Sequence, residues 1–324
     1  MTTSRRNLLH FAAGFGVCAA ARIAWAQAYP TRPVRWIVPF PAGGPSDILA
    51  RVIGQALQER LGQPFVIENR PGASGNIGTQ AVVGAPPDGQ TLLLVAAPNA
   101  INTTLYPALG FNFMRDIAPI ASIARGALIM LVAPSFPAQT VAQFIAYAKA
   151  NPGKINMASA GNGTPPHVAG ELFKGMTGID LLHVPYRGVA PAITDLLSGQ
   201  VHVLFDPVPS SIGYVRTGKL RALAVTTAQR SGSLPDTPAL AEFVTGYEAS
   251  TWFGVGAPRE TPADIIDKLS SAINTVVVEP AMSARLADLG ASVFIGSPAD
   301  FATFIASETD KWAKVVKLAG IKPD

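Results

Sequence analysis

From Val34 almost to the C-terminus, short apolar runs alternate with stretches whose apolar positions recur at helical spacing. The runs are Val34–Phe40, Phe65–Ile67, Thr91–Val95, Ala127–Val132, Lys154–Ala160, Leu181–Pro185, Val201–Phe205 and Ala222–Val225. Such alternation predicts α/β architecture with parallel strands. After the first run, Leu49, Val52, Ile53, Ala56, Leu57 and Leu61 keep i, i+3, i+4 spacing, and Gly62 stands where a helix-ending glycine belongs. Further helices are expected around Ala81–Val82, over 141–150 and through 192–197. Beyond Trp252-Phe253-Gly254-Val255-Gly256 the pattern is helical to the end. There Thr261-Pro262-Ala263-Asp264 and Ser297-Pro298-Ala299-Asp300 both read as cap, N1 proline and N3 acid. Phe301, Phe304, Ile305, Trp312 and Val315 form the expected core face of the last helix.

Two extended segments, near Ala127–Pro134 and Trp252–Ala257, divide the chain into a discontinuous lobe (27–130 plus 253–324) and a continuous one (131–252). Two α/β lobes joined by two crossings form a hinge with a cleft. Ligands of open α/β sheets bind beyond the carboxyl ends of the strands. Two Gly-rich loops fall at such ends: Phe40 to Asp47, containing Ala42, Gly43, Gly44 and Ser46, and Ser159 to His167, containing Gly161, Asn162, Gly163 and Thr164. A strand, a Gly loop and a helix N-terminus together suit an anion, because N–H groups and the positive end of the helix dipole face it. Each loop alone equally suits an ordinary βα connection.

Composition changes the picture mainly at the N-terminus. Arg5-Arg6, a mildly apolar stretch from Leu8 to about Ala21, and Ala24-Trp25-Ala26 form a leader over 1–26, with Ala26-Gln27-Ala28 as the alternative cleavage signal. The paired arginines and weak apolar region favour twin-arginine export over the general route. Its apolar run is too short for a membrane span and is interrupted by Arg22. Cys18, the single cysteine, falls inside this leader, so the exported protein has neither disulfide nor thiol chemistry. Losing Arg5, Arg6 and Arg22 reduces the net charge from +4 to +1. With no clustered basic face, nucleic acid is not an expected partner. The remaining 298 residues can bury two cores.

Candidate chemistry is sparse. Ser159 and Thr164 can donate hydroxyl hydrogens to an oxyanion, and Ser46 and Thr164 can equally cap helices. Asp47 in a first helical turn suits a structural or water-holding role. Asn99 ends a strand at the same side as the Gly loops. Tyr186 and Arg187 follow another strand, where Arg187 could fork a second carboxylate or form a surface pair. Asp206 could face an ammonium. His167 precedes Glu171 by one turn, but His183 and His202 fall in other strands, so no metal site and no cofactor are expected. G-x-S-x-G, Walker A, G-x-G-x-x-G and H-E-x-x-H are all absent.

Six collinear motifs resemble one family. They are VRWIVPFPAGGPSDILAR (Val34–Arg51), ENRPGASGNIG (Glu68–Gly78), PDGQTLL (Pro87–Leu93), SAGNGTPPHVAGELF (Ser159–Phe173), HVPYRGVAPAITDLLSG (His183–Gly199) and GKLRALAVT (Gly218–Thr226). They are similar to the Bug, or TctC-like, extracytoplasmic receptors of tripartite tricarboxylate transporters. Small departures fall at Ser74 and Arg187. The resemblance implies a monomeric, periplasmic two-lobed binding protein of type II-like fold. It also implies a small organic carboxylate as ligand, gripped by Phe40–Asp47 and Ser159–His167 rather than by an Arg clamp, and delivery to a membrane permease. A periplasmic hydrolase of a small ester or amide, and a ligand-presenting sensor subunit, are the alternatives.

Overall fold

The structure is a computed structural model that describes residues 29–323, so the expected leader and its cleavage signals lie outside the described residues. The first half of the chain runs β1 (Val34–Val38), α1 (Pro45–Leu61), β2 (Phe65–Asn69), α2 (Asn76–Val83), β3 (Thr91–Ala96), α3 (Ala97–Leu105), α4 (Phe113–Asp116) and β4 (Ile117–Val132). It continues with α5 (Val141–Ala150), β5 (Asn156–Ser159), α6 (Pro165–Thr177), β6 (Leu182–Pro185), α7 (Val189–Ser198), β7 (Val203–Pro207), α8 (Val208–Arg216) and β8 (Arg221–Val225). It closes with β9 (Ser250–Pro258), α9 (Ala263–Val278), α10 (Pro280–Asp288), β10 (Ala291–Val293) and α11 (Pro298–Leu318).

The strands order as β2-β1-β3-β9-β4-β7-β5-β6, with β8 and β10 also paired to β4. Strands carrying βα loops are parallel: β1 with β2 and β3, and β5 with β6 and β7. β4 joins the two half-sheets. Its Ile117–Ala127 stretch pairs antiparallel with β9, while Leu128–Leu131 pairs with β7 and Ile129–Val132 with β8. The fold is therefore two-lobed α/β with two crossings.

Sequence signals account for the helix ends. Gly62 ends α1 in the left-handed region at φ 76°, where a Cβ would be strained. Ser297 caps α11, its hydroxyl accepting from the Asp300 N–H. Four expectations are corrected. α1 starts at Pro45 and α6 at Pro165, inside the stretches expected as the loops Phe40 to Asp47 and Ser159 to His167, because a proline at N1 lacks only an N–H that would have no intrahelical partner. Pro262, not Thr261, occupies the N-cap of α9, and the Thr261 hydroxyl donates to the Pro258 carbonyl instead. The C-terminal region is not all helical, since the short β10 pairs with β4 at Ala124–Gly126.

One apolar cluster, with Trp36, Leu57 and Ile273, fills the face of the first half-sheet under α1 and α9. A second, with Ala158, Ile193 and Leu204, lies under α7. The largest runs through both lobes: Phe301, Ile305, Trp312 and Val316 of α11 share it with Leu93, Leu128 and Phe173. At the crossing, Glu308 Oε2 accepts from the buried indoles of Trp252 and Trp312, at 2.9 and 3.0 Å. Lys311 pairs with its other oxygen.

Candidate functional site

Between the half-sheets lies a cavity of about 260 Å³. Its walls are mostly the ends of helices that follow strands. Pro45 and Ser46 open α1 after β1, Ala97 and Pro98 open α3 after β3, and Pro165 and Pro166 open α6 after β5. Val189 opens α7 after β6, and Pro209 stands in the first turn of α8 after β7. Gly126 and Ala127 of β4, Thr251 to Phe253 of β9, and Leu289 to Ala291 before and into β10 complete it. The positive ends of five helix dipoles thus meet in one space, each equivalent to roughly half an elementary charge. A larger groove of about 830 Å³ adjoins through Ala127, Gly290 and Ala291, but neither Gly loop lines it.

Of the residues singled out by sequence, Phe40, Ser46 and Thr164 line the cavity. The others hold the loops or lie outside the lining. Asp47 is buried, accepts from the Gly43 N–H at 2.8 Å and pairs with Arg51; the Arg51 hydrogen bond holds its carboxyl below the usual range. Ala42 is exposed, and Gly44 occupies the N-cap of α1. Asn99 is internal to the fold, accepting from the Ala96 N–H and donating to Thr79. Ser159 accepts from the Gly161 N–H at 3.1 Å, and the Thr164 hydroxyl donates to the Gly161 carbonyl at 2.7 Å. Asn162 belongs to the same loop and is absent from the cavity wall.

His167 stacks on His183, ring centroids 3.6 Å apart and nearly parallel at 7°. The Gly163 N–H donates to His167 Nδ1 at 3.1 Å, which leaves Nε2 as the protonated nitrogen, 3.7 Å from Glu171. His183 Nε2 lies 2.7 Å from Ser159 Oγ. Burial, and then the neighbouring His167, push the His183 ring down to about 4, so it is neutral near pH 7. The pair is therefore a brace behind the second Gly loop. Among the described residues no group of three or more His, Cys, Asp or Glu is placed to hold a metal.

Tyr186 donates to Asp195 at 2.6 Å, and Arg187 is exposed; neither lines the cavity. Asp206 is fully buried at the end of β7, immediately before Pro207, which does line it. Ser210 donates to its Oδ2, while Oδ1 has no partner. Sequence reasoning passed over the wall itself: Pro45, Pro98, Pro165, Pro166 and Pro209, with Trp252 and Phe253. The prolines can be read in the sequence as helix-start punctuation, but only the topology brings these helix starts to one space.

The profile of the tripartite tricarboxylate transporter family receptor, TctC, matches residues 49–321. The chain belongs to this family. It is 38% identical over 302 residues to Protein BugT of Bordetella pertussis, covering 92% of each chain. Among solved structures it is similar to R. palustris Rpa4515 with adipate, at 40% identity and a TM-score of 0.82, covering 91% of this chain and 100% of that one. It is also similar to MatC from Rhodopseudomonas palustris with bound malate, at 31% identity and a TM-score of 0.76, covering 89% of this chain and 100% of that one. TctC receptors bind solutes rather than turn them over. The chain is accordingly a solute-binding protein and not an enzyme, which removes the hydrolase alternative. Among the described residues no helix is long and apolar enough to cross a membrane.

Proposed function

We propose that this TctC receptor captures a small organic carboxylate in the interlobe cavity, in the periplasm, and delivers it to a tripartite-type membrane permease. The observation that carries the reading is the convergence of α1, α3, α6, α7 and α8 N-termini on one cavity between two half-sheets. Helix N-termini favour anions through dipole and N–H groups together. The adipate and malate bound by two relatives agree with that charge preference. The lobes, divided as 27–130 plus 253–324 and 131–252, would rotate about β4 and β9. Gly163 facing Leu105, and Gly290 facing Val208 and Pro209, are two of the places where they touch. The export reading of the leader supplies the compartment, and the family supplies the permease.

Calorimetric titration of the refolded, solute-free protein with short carboxylic acids and with their amides tests the binding step. Saturable binding of at least one acid, with its amide at least tenfold weaker, is the expected result. Equal binding of acid and amide would remove the anion from the mechanism.

A further inference from the structure

Among the described residues the cavity wall contains no Lys, Arg or His side chain. Its side-chain hydrogen-bond donors can be accounted for one by one. Thr164 donates to the Gly161 carbonyl, Thr251 to the Gly126 carbonyl, and the Trp252 indole to Glu308. Among the described residues that leaves the Ser46 hydroxyl, which is buried at the second position of α1, as the side-chain donor at the wall without an internal partner. Backbone donors are thinned as well. Pro45, Pro98, Pro165, Pro166 and Pro209 bring no N–H to the first turns of four of the five helices. The Gly43, Gly161 and Gly163 N–H groups are bonded within their own loops.

A carboxylate offers about four acceptor sites, and leaving them unpaired in a dry cavity is costly. The field of five helix ends and the Ser46 hydroxyl suit one such group. A second carboxylate would find apolar walls from Phe40, Val189, Trp252, Phe253 and Leu289. Behind the second-lobe wall it would also meet Asp206, which no cation pairs among the described residues. The volume fits an apolar body: a cavity of roughly 150 Å³ already takes up benzene, and this one measures about 260 Å³. We infer that the cleft selects monocarboxylates carrying an apolar aliphatic or aromatic body over dicarboxylates and tricarboxylates of the same skeleton. The inference rests on the carboxylate reading above.

Matched pairs test it on the native protein after unfolding and refolding to remove carried-over solute. Hexanoate is titrated against adipate, and 3-phenylpropanoate against 3-(4-carboxyphenyl)propanoate, at pH 7.5, with hexanamide and 3-phenylpropanamide as uncharged controls. The expected result is at least tenfold tighter binding of the monoacid in each pair, with the amides weaker than the monoacids. A diacid that binds as tightly as its monoacid overturns the selectivity while leaving carboxylate binding intact. Amides that match the monoacids, or no binding by any acid, overturn the carboxylate reading itself and this inference with it.

Discussion

Replacing Asp206 with asparagine should stabilise this protein at neutral pH and above and leave it unchanged near pH 4. The residue is fully buried in β7, receives one hydrogen bond from Ser210 on Oδ2, and leaves Oδ1 without a partner. Burial pushes its carboxyl up to about 7 from the ordinary 3.8, and the serine hydrogen bonds offset only part of that. A group whose folded-state pKa lies above its unfolded value contributes its full stability below the unfolded pKa and loses it as pH rises through the folded one. At about 1.4 kcal/mol per unit, ionised Asp206 costs up to about 4 kcal/mol at pH 8 relative to pH 4, an upper bound because the surroundings relax. Asparagine keeps the shape and cannot ionise. Urea unfolding of both proteins from pH 4 to 8.5 gives the difference directly. The asparagine variant should match the native protein near pH 4, gain steadily between about pH 4 and pH 7, and hold that gain at higher pH. Parallel profiles would refute the argument and mean that a cation or water neutralises Asp206.

Four further outcomes follow from the same geometry. Ser46→Ala should weaken monocarboxylate binding by about 1–2 kcal/mol in calorimetry with unchanged unfolding, because it removes the uncommitted donor at the wall. The His183 ring, held near 4, binds fewer protons folded than unfolded between pH 6.5 and 4, so stability falls as pH drops through that window. The loss is about 1–2 kcal/mol after screening at this half-buried ring, and His183→Gln should flatten that acid limb in a thermal scan. Glu308→Ala strands two buried indole N–H groups and should cost about 3 kcal/mol or more in urea unfolding. A Cβ at Gly290 would stand 2.8 Å from Val208 Cβ, so Gly290→Ala should hold the lobes apart, seen as a larger radius of gyration with ligand in X-ray scattering.

Much of the fold was legible because its signals are local. Apolar runs gave the strands, and Gly62 and Ser297 gave helix ends, since cap chemistry depends on only a few neighbouring residues. What escaped was set by tertiary context. Ala97-Pro98-Asn99 reads as the end of a strand but opens α3 (Ala97–Leu105), with Leu105 packed into the largest core cluster. Ile117–Val132 is one bent strand whose partners change at Ala127–Leu128, and no local pattern announces a change of partner. At the cleft, Phe40, Ser46 and Thr164 were legible from the Gly loops. The proline wall was not, because prolines at N1 and N2 read as helix punctuation until the topology brings five helix starts together. The stacked His167–His183 pair joins residues sixteen positions apart on a helix and a strand, and only the register of β5 with β6 brings them face to face.

If the anion is held as proposed, distributing its attraction over helix ends has a mechanical consequence. α1 and α3 belong to the half-sheet of β1 and β3, while α6, α7 and α8 belong to that of β5, β6 and β7. Dipole attraction fades within about one helical turn, so a carboxylate seated on one lobe of an open cleft feels only that lobe's helices. The other set acts only on closure. Each buried helix end is worth up to about 2 kcal/mol, so α6, α7 and α8 together supply on the order of 3–6 kcal/mol that exists only in the closed state. That range reaches the roughly 5.5 kcal/mol needed to move a two-state equilibrium from 1:99 to 99:1. A long Arg side chain could follow its ligand in either state and would couple charge to closure poorly. Rigid helix ends, further stiffened by Pro45, Pro98, Pro165, Pro166 and Pro209, cannot follow, and it is their immobility that turns capture of a charge into movement of a lobe.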